Sequence, residues 1–281
     1  MVHVYGSVGQ LGNQLFRFAH HLANAIALNY KLVHHSFDYG QYYSSLGNTG
    51  IISVNNSGTN TNKIIIKLSN KLFRSPSSHE MAQKLGYYIL NEPLTYEDTD
   101  ATKFGEFAIN KQVIATEWLF RDYNNFIIYA QQLREAFIPN NDIVEHASQK
   151  ISKISADFEI VIGVHIRRGD YITFENGAFY FLDSEYARVM KQMKELHPGK
   201  KIAFVICSNE KIDMNTFSEF NCFSWSNHFM IDLTLLSYCD FIIGPPSTFS
   251  GWASFIGNIP LYHHSKKGAL PGMGDFKVTM R

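Results

Sequence analysis

The sequence predicts an α/β protein of two halves, each built on a parallel sheet with helices on both faces. Three observations carry this. The chain opens as strand, glycine loop, helix, strand. From about residue 157, near-continuous apolar strands alternate with segments of helical spacing, the pattern of parallel sheets buried on both sides. A length of 281 residues with 45% apolar content allows one large domain or two of about 140 residues each.

The elements follow in order. Val2 to Tyr5 reads as a first strand, glycines stand at 6, 9 and 12, and Leu15, Phe18, Ala19, Leu22 and Ile26 then fall at helical spacing. Lys31 to Ser36 reads as a second strand. Residues 53–62, SVNNSGTNTN, are polar and turn-rich and predict a surface loop, while 63–90 are helical in parts. Val113 to Thr116 is a strand; Phe126, Ala130, Leu133 and Phe137 form a helical face that stops before Pro139. Ile143, Ala147, Ile151 and Ile154 form the next face. In the second half, strands are expected at Phe158 to His165, Ile202 to Cys207 and Phe241 to Ile243. Helices are expected from Asp183 or Ser184 to His197, from Ile231 to Tyr238 and from Phe249 to Ile256. The division is placed at 1–150 and 151–281, with a cleft expected between the halves. Ligands in such folds sit at the carboxyl ends of the strands.

Three polar clusters lie at such ends. The first is His165-Ile-Arg167-Arg168-Gly169-Asp170-Tyr171, directly after a buried strand. Two guanidinium forks that stay charged suit phosphate oxygens, Gly169 permits a sharp turn, and Asp170 could hold one arginine in place. The second is GSVGQLGNQ, residues 6–14, whose glycines let backbone amides approach a ligand and whose Asn13 can cap the following helix. Its spacing is neither that of a dinucleotide-binding loop nor that of a P-loop. The third is GPPSTFSGWAS, residues 244–254, where Ser247 and Thr248 stand at a helix N-terminus that favours an anion. A fourth, lesser site is Cys207-Ser208-Asn209-Glu210, whose amide and carboxylate could read a base or a ribose. Taken singly, each cluster also reads as a turn or a helix cap.

Composition narrows the classes. Lys+Arg and Asp+Glu balance at 25 each, so nothing draws the chain to nucleic acid or to anionic membranes, and an anion site must be local. The three cysteines, Cys207, Cys222 and Cys239, lack CxxC spacing and read as reduced, buried thiols. Neither a signal peptide nor a membrane span is legible, so a soluble, cytoplasmic protein is expected. The adjacent histidine pairs 20–21, 34–35 and 263–264 lack metal-site spacing, there is no DxD, and there is no G-x-S-x-G elbow. The basic residues Lys63, Lys67, Lys71, Arg74 and Lys84 read as a solvated helix face.

Together, GQLGNQLFRFA, TEWLFRDYNNF, VHIRRGDY and DLTLLSYCDFIIGPPSTFSGWASF resemble the α-1,2-fucosyltransferase family over nearly the whole chain. VHIRRGD is the most specific piece, and related motifs occur in α-1,6- and protein O-fucosyltransferases. The resemblance implies a GT-B fold of two Rossmann-like domains. It implies GDP-fucose as co-substrate, held mainly by the C-terminal half, with inversion at the anomeric carbon. No metal is then needed, and an oligosaccharide ending in galactose is the acceptor, taken by the N-terminal half. Arg167 and Arg168 would meet the diphosphate, Arg167 being the more critical. Ser247, Thr248 and Phe249 would hold the β-phosphate or the fucose. His165 with Ser208, Asn209 and Glu210 would contact ribose or guanine, and Gly12 and Asn13 would close on the diphosphate. Asp38, Glu117 and Asp170 are the candidates for a base, and no choice among them is made. Gln10 stands where the family has a glycine, and Ser247-Thr-Phe-Ser-Gly251-Trp252 departs from its late motif. The late departures bear on acceptor and linkage more than on the donor.

Overall fold

The computed structural model describes residues 1–6, 9–48, 52–54 and 75–280. The first part of the chain contains β1 (Val2–Val4), β2 (Leu32–His34), β3 (Ile52–Val54), β4 (Tyr88–Leu90), β5 (Leu94–Thr95), β6 (Val113–Ala115) and β7 (Phe120–Arg121). Its helices are α1 (Leu11–Leu28), α2 (Pro76–Lys84), α3 (Thr99–Asn110), α4 (Tyr123–Ile128) and α5 (Ala130–Ala136). The second part runs α6 (Asn141–Ser155), β8 (Ile160–Ile166), α7 (Asp183–Leu196), β9 (Ile202–Ser208), β10 (Asn221–Ser224), α8 (Phe229–Leu236), β11 (Phe241–Gly244), α9 (Thr248–Gly257) and β12 (Leu261–His263).

Two five-stranded sheets organise these elements, with orders β3-β2-β1-β6-β4 and β10-β9-β8-β11-β12. Their pairings are parallel. The chain forms two units, Met1–Asn140 with Met280–Arg281, and Asn141–Thr279. The sequence division at 150 therefore falls inside α6. That helix belongs to the second unit because it packs on α8, burying Ile143, Ala147 and Ile154.

In the second sheet the chain builds outward from β8 to β10, then crosses to β11 and β12. The strand order reverses between β8 and β11, which is the topological switch point. The first sheet has its own switch between β1 and β6. Alternation along β8 explains its continuous apolar run. Ile162, Val164 and Ile166 share a core with Tyr186, Val189, Met190 and Met193 of α7. The opposite face meets α8, and Gly163 makes that approach possible: a Cβ there would lie 2.6 Å from Leu236 Cδ2. The three cysteines are free, Cys207 and Cys239 buried and Cys222 half-buried.

In α1 the apolar Leu15, Phe18, Ala19 and Leu22 recur at helical spacing, and the helix is buried all round from Gln14 to Ala25. It stops at Asn29, in the left-handed region at φ 53°, whose N–H returns to the Ala25 and Ile26 carbonyls. The single helical face expected at 126–137 is instead two short helices parted at Tyr129. The β-branched pair Ile127-Ile128 weakens helical propensity at that point. β10 and β12 have no counterpart among the expected strands. β10 is a half-exposed edge strand, Asn-Cys-Phe-Ser, without an apolar run. In the stretch expected as a loop, residues 53 and 54 belong to β3 and the remainder lie outside the described residues. Of the basic face, Lys84 is described; it is exposed and pairs with Glu80.

Candidate active site

At the switch point of the second unit, the carboxyl ends of β8 and β11 lie side by side, with Ile243 in register with Val164. Gly244 permits the close approach that follows, since a Cβ there would stand 3.2 Å from both His165 Cβ and Ser250 Oγ. The Tyr171 hydroxyl donates to the Pro246 carbonyl at 2.6 Å and ties the two loops together. The His165 ring packs on Phe249, centroids 5.0 Å apart. The end of β9 joins them, as the Arg168 N–H donates to Asn209 Oδ1 at 2.8 Å. Gly169 makes the intervening turn at φ 65°, and a Cβ on it would come within 3.2 Å of Asn209 Nδ2. The first, third and fourth clusters read from the sequence thus form one constellation.

The two arginines have different environments. The Arg168 guanidinium is buried, donating to the Phe181 carbonyl and to the Asp183 carboxylate, with the Tyr180 ring 4.9 Å away. Arg168 is thus engaged by its own scaffold through Nη1 and Nη2, whereas Arg167 is the more open of the two expected diphosphate ligands. Asp183 is accordingly the first residue of α7 and a partner of Arg168, while Leu182 holds the cap position. Arg167 pairs with Asp170 Oδ1 at 2.7 Å and lies 5.5 Å from the Tyr171 ring. Its side chain is 17% exposed and that of Asp170 54%.

His165 is buried, and its Nδ1 has no hydrogen-bond partner among the described residues. Burial, and secondarily the charge of Arg167, push its pKa down to about 3, so the ring is neutral. Its ring supports Phe249 from within the sheet end. Ser247 caps α9, its Oγ accepting the Phe249 N–H at 3.2 Å, and Thr248 is exposed at the first helical position. Ser208 closes β9, its Oγ accepting the Glu210 N–H at 3.2 Å, while Asn209 and Glu210 are exposed.

The sequence reading missed Asp232. It lies on α8 and is nearly buried, with Oδ1 accepting from Asn227 Nδ2 at 2.8 Å and its carbonyl beside Cys207 Sγ at the end of β9. Burial raises its pKa to about 6. The available signal was an aspartate inside the apolar helix FMIDLTLL. A buried carboxylate with a raised pKa beside the end of a sheet strand is a functional-site candidate.

In the first unit the glycine loop leads into α1. Asn13 is exposed within the first turn rather than at the cap, which is Gln10. Its amide closes over Gly9 (φ 69°), where a Cβ would sit 2.4 Å from Asn13 Nδ2. Gly12 is buried in the same turn. Gln14 Nε2 donates to the Gly9 carbonyl at 3.2 Å and to Asp38 Oδ2 at 2.9 Å, and its Oε1 accepts the Asp38 N–H at 3.2 Å. Glu117, named as a candidate base, is fully buried. Its Oε1 accepts from Arg17 Nε at 2.8 Å and lies 2.9 Å from His21 Nε2. Burial alone would raise its pKa, but Arg17 and His21 hold it down, so the carboxylate is engaged as the anchor of that cluster. Arg17 also donates to the Gly6 and Tyr5 carbonyls at 2.6 and 3.1 Å, fixing the start of the loop.

Among the described residues, no group of three or more His, Cys, Asp or Glu is placed to hold a metal ion. No described helix is long and apolar enough to cross a membrane.

Solved structures that this chain resembles include several fucosyltransferases. A mutant of FUT1 from Arabidopsis thaliana, in complex with GDP, matches all of this chain and 74% of its own, at 13% identity and a TM-score of 0.60. The NodZ α-1,6-fucosyltransferase soaked with GDP-fucose matches 96% of this chain and 97% of its own, at 13% identity and 0.60. POFUT1 in complex with GDP matches 95% and 98%, at 12% identity and 0.54. At such identity the likeness is one of fold, and it bears out the expected class: α/β, two units on parallel sheets, GT-B. A comparison with curated proteins gives no match. The sequence profile of glycosyl transferase family 11 matches residues 100–259, more than half of the chain and across both arginines and the cap of α9. The chain therefore belongs to glycosyl transferase family 11.

Proposed function

We propose that the protein transfers L-fucose from GDP-β-L-fucose to a sugar hydroxyl with inversion, the 2-OH of a galactose-type acceptor being the favoured target. The observation that carries this reading is the convergence at the β8/β11 switch point of Arg167, the Gly169 turn and the N-terminus of α9. As the bond to the leaving group breaks, the sugar becomes oxocarbenium-like and negative charge grows on the diphosphate. Arg167, oriented by Asp170, and the N-terminal amides of α9 are the groups with the chemistry to receive that charge. Donors of this kind lower a barrier by roughly 3–4 kcal/mol each. Asp232 is assigned to the guanine, whose N1–H and N2–H₂ a carboxylate can accept together. The first unit is assigned the acceptor.

The test is GDP release from GDP-fucose with lactose-type acceptors in EDTA, wild type beside Arg167→Ala. Acceptor-dependent release that persists in EDTA and collapses in the variant supports a metal-independent fucosyltransferase. Product linkage then separates α-1,2 from α-1,6 transfer or transfer to a protein hydroxyl. GDP-fucose binding without turnover across a panel of acceptors would point to a binding module, and absence of binding would overturn the donor assignment.

A further inference from the structure

The first unit has its own switch point, between β1 and β6, and that is where a ligand of this unit belongs. The loop after β6 carries Trp118. The chain has three tryptophans: Trp252 is buried in α9, Trp225 is half-buried under Lys150 Nζ at 4.1 Å, and Trp118 is 58% exposed. Single exposed apolar residues are ordinary. Trp118 differs in size and in place, because it follows directly on Glu117, the buried anchor of the glycine-loop clamp. Its backbone is fixed on both sides, by Thr116 N–H to the Leu90 carbonyl at 2.7 Å and by the Leu119 carbonyl accepting the Leu94 N–H at 3.0 Å. The indole is thus presented to solvent from a rigid strand end.

On the other side of β1, the loop after β2 presents Asp38. This carboxylate is exposed yet held in place, since Gln14 grips both its Oδ2 and its N–H. Tyr39 and Tyr42 beside it are half-buried. β2 and β6 both flank β1, so the two loops start about 10 Å apart, two strand spacings. Loops that start this far apart can carry two side chains to opposite edges of one sugar ring.

We infer that Trp118 and Asp38 form the acceptor subsite, which takes a galactose-type pyranoside. The apolar C–H face of the sugar lies on the indole, whose negative ring face attracts those hydrogens. The hydroxyls on the sugar's other edge donate to Asp38. This pairs one apolar wall with a few fixed polar groups, as small-ligand sites do. The inference rests on the acceptor assignment made above for the first unit.

The experiment measures lactose binding by saturation-transfer NMR and initial rates with lactose varied at saturating GDP-fucose. Wild type, Trp118→Ala, Trp118→Phe and Asp38→Asn are compared, with GDP-fucose binding followed separately. The expected result is a lactose signal in wild type, an acceptor KM raised about tenfold or more in Trp118→Ala, and recovery of most of that deficit in Trp118→Phe. Asp38→Asn should lower acceptor kcat/KM about tenfold, and in all three variants GDP-fucose binding should stay within about twofold of wild type. An unchanged acceptor KM in Trp118→Ala, or no lactose signal in a wild type that binds GDP-fucose, overturns the subsite. A wild type that binds no GDP-fucose overturns the fucosyl reading instead, and a lactose signal that disappears in Trp118→Ala would still support the subsite.

Discussion

Arg167 and Arg168 are neighbours in sequence with opposite fates, and their substitution should separate activity from stability. Arg167 is half-buried and pairs with exposed Asp170, so Arg167→Ala should lower kcat by about 10²–10³. Its melting temperature should fall less than that of Arg168→Ala, since the partner lost, Asp170, is exposed to water. Arg168 is the buried partner of Asp183 and the Phe181 carbonyl. Arg168→Ala removes both of these bonds from a buried position, and should cost about 2–3 kcal/mol, read as a shifted urea midpoint for the second unit. Equal stability of the two variants would refute the distinction. The sequence could show that a strand ends in guanidinium groups, because type and order suffice for that. Which arginine turns inward is decided by Phe181 and Asp183, on the far side of a 3-10 segment, and no local pattern marks them. Glu117 was missed as a structural anchor for the same reason: its partners Arg17 and His21 lie on α1, far back along the chain.

At the scale of elements, helix packing depends on glycines that bring backbones together. At Gly257, the last residue of α9, an added Cβ would lie 2.1 Å from the Ser237 carbonyl just after α8. Backbone atoms cannot swing aside as a side-chain end does. Gly257→Ala should therefore destabilise the second unit by about 1–3 kcal/mol, while Gly274→Ala, with nothing within 4 Å, should be near neutral. Equilibrium urea unfolding of the two variants checks this. Elements were legible where burial is two-sided and long, as in β8 and β9, or where a wide stripe repeats, as in α1 and α7. Short elements that are exposed on one side escaped, β10 and β12 above all. The break between α4 and α5 was also hidden, because apolar spacing carries across a single non-helical residue.

At the scale of the whole molecule, both units hold histidines that folding keeps neutral. Burial takes His20 and His165 down to about 3 from 6.5, and His34 well below 6.5. A pKa lowered in the fold makes stability full above the unfolded value and drains it as pH falls toward the folded one. Between pH 7.5 and 5.5 each such histidine should remove on the order of 1 kcal/mol. Thermal melts should show lower midpoints at pH 5.5, and more so in the first unit, which holds His20 and His34; pH-independent midpoints would refute this. The cysteines make such a comparison practical. Cys207, Cys222 and Cys239 all belong to the second unit. Burial raises all three thiols, Cys222 to about 12 and Cys207 well above its ordinary value. In the folded protein they are then almost unreactive toward a disulfide reagent, because the thiolate is the attacking species. Colour release from such a reagent becomes an intrinsic clock for opening of the second unit alone. It needs no introduced label, and it stays silent when only the first unit lets go.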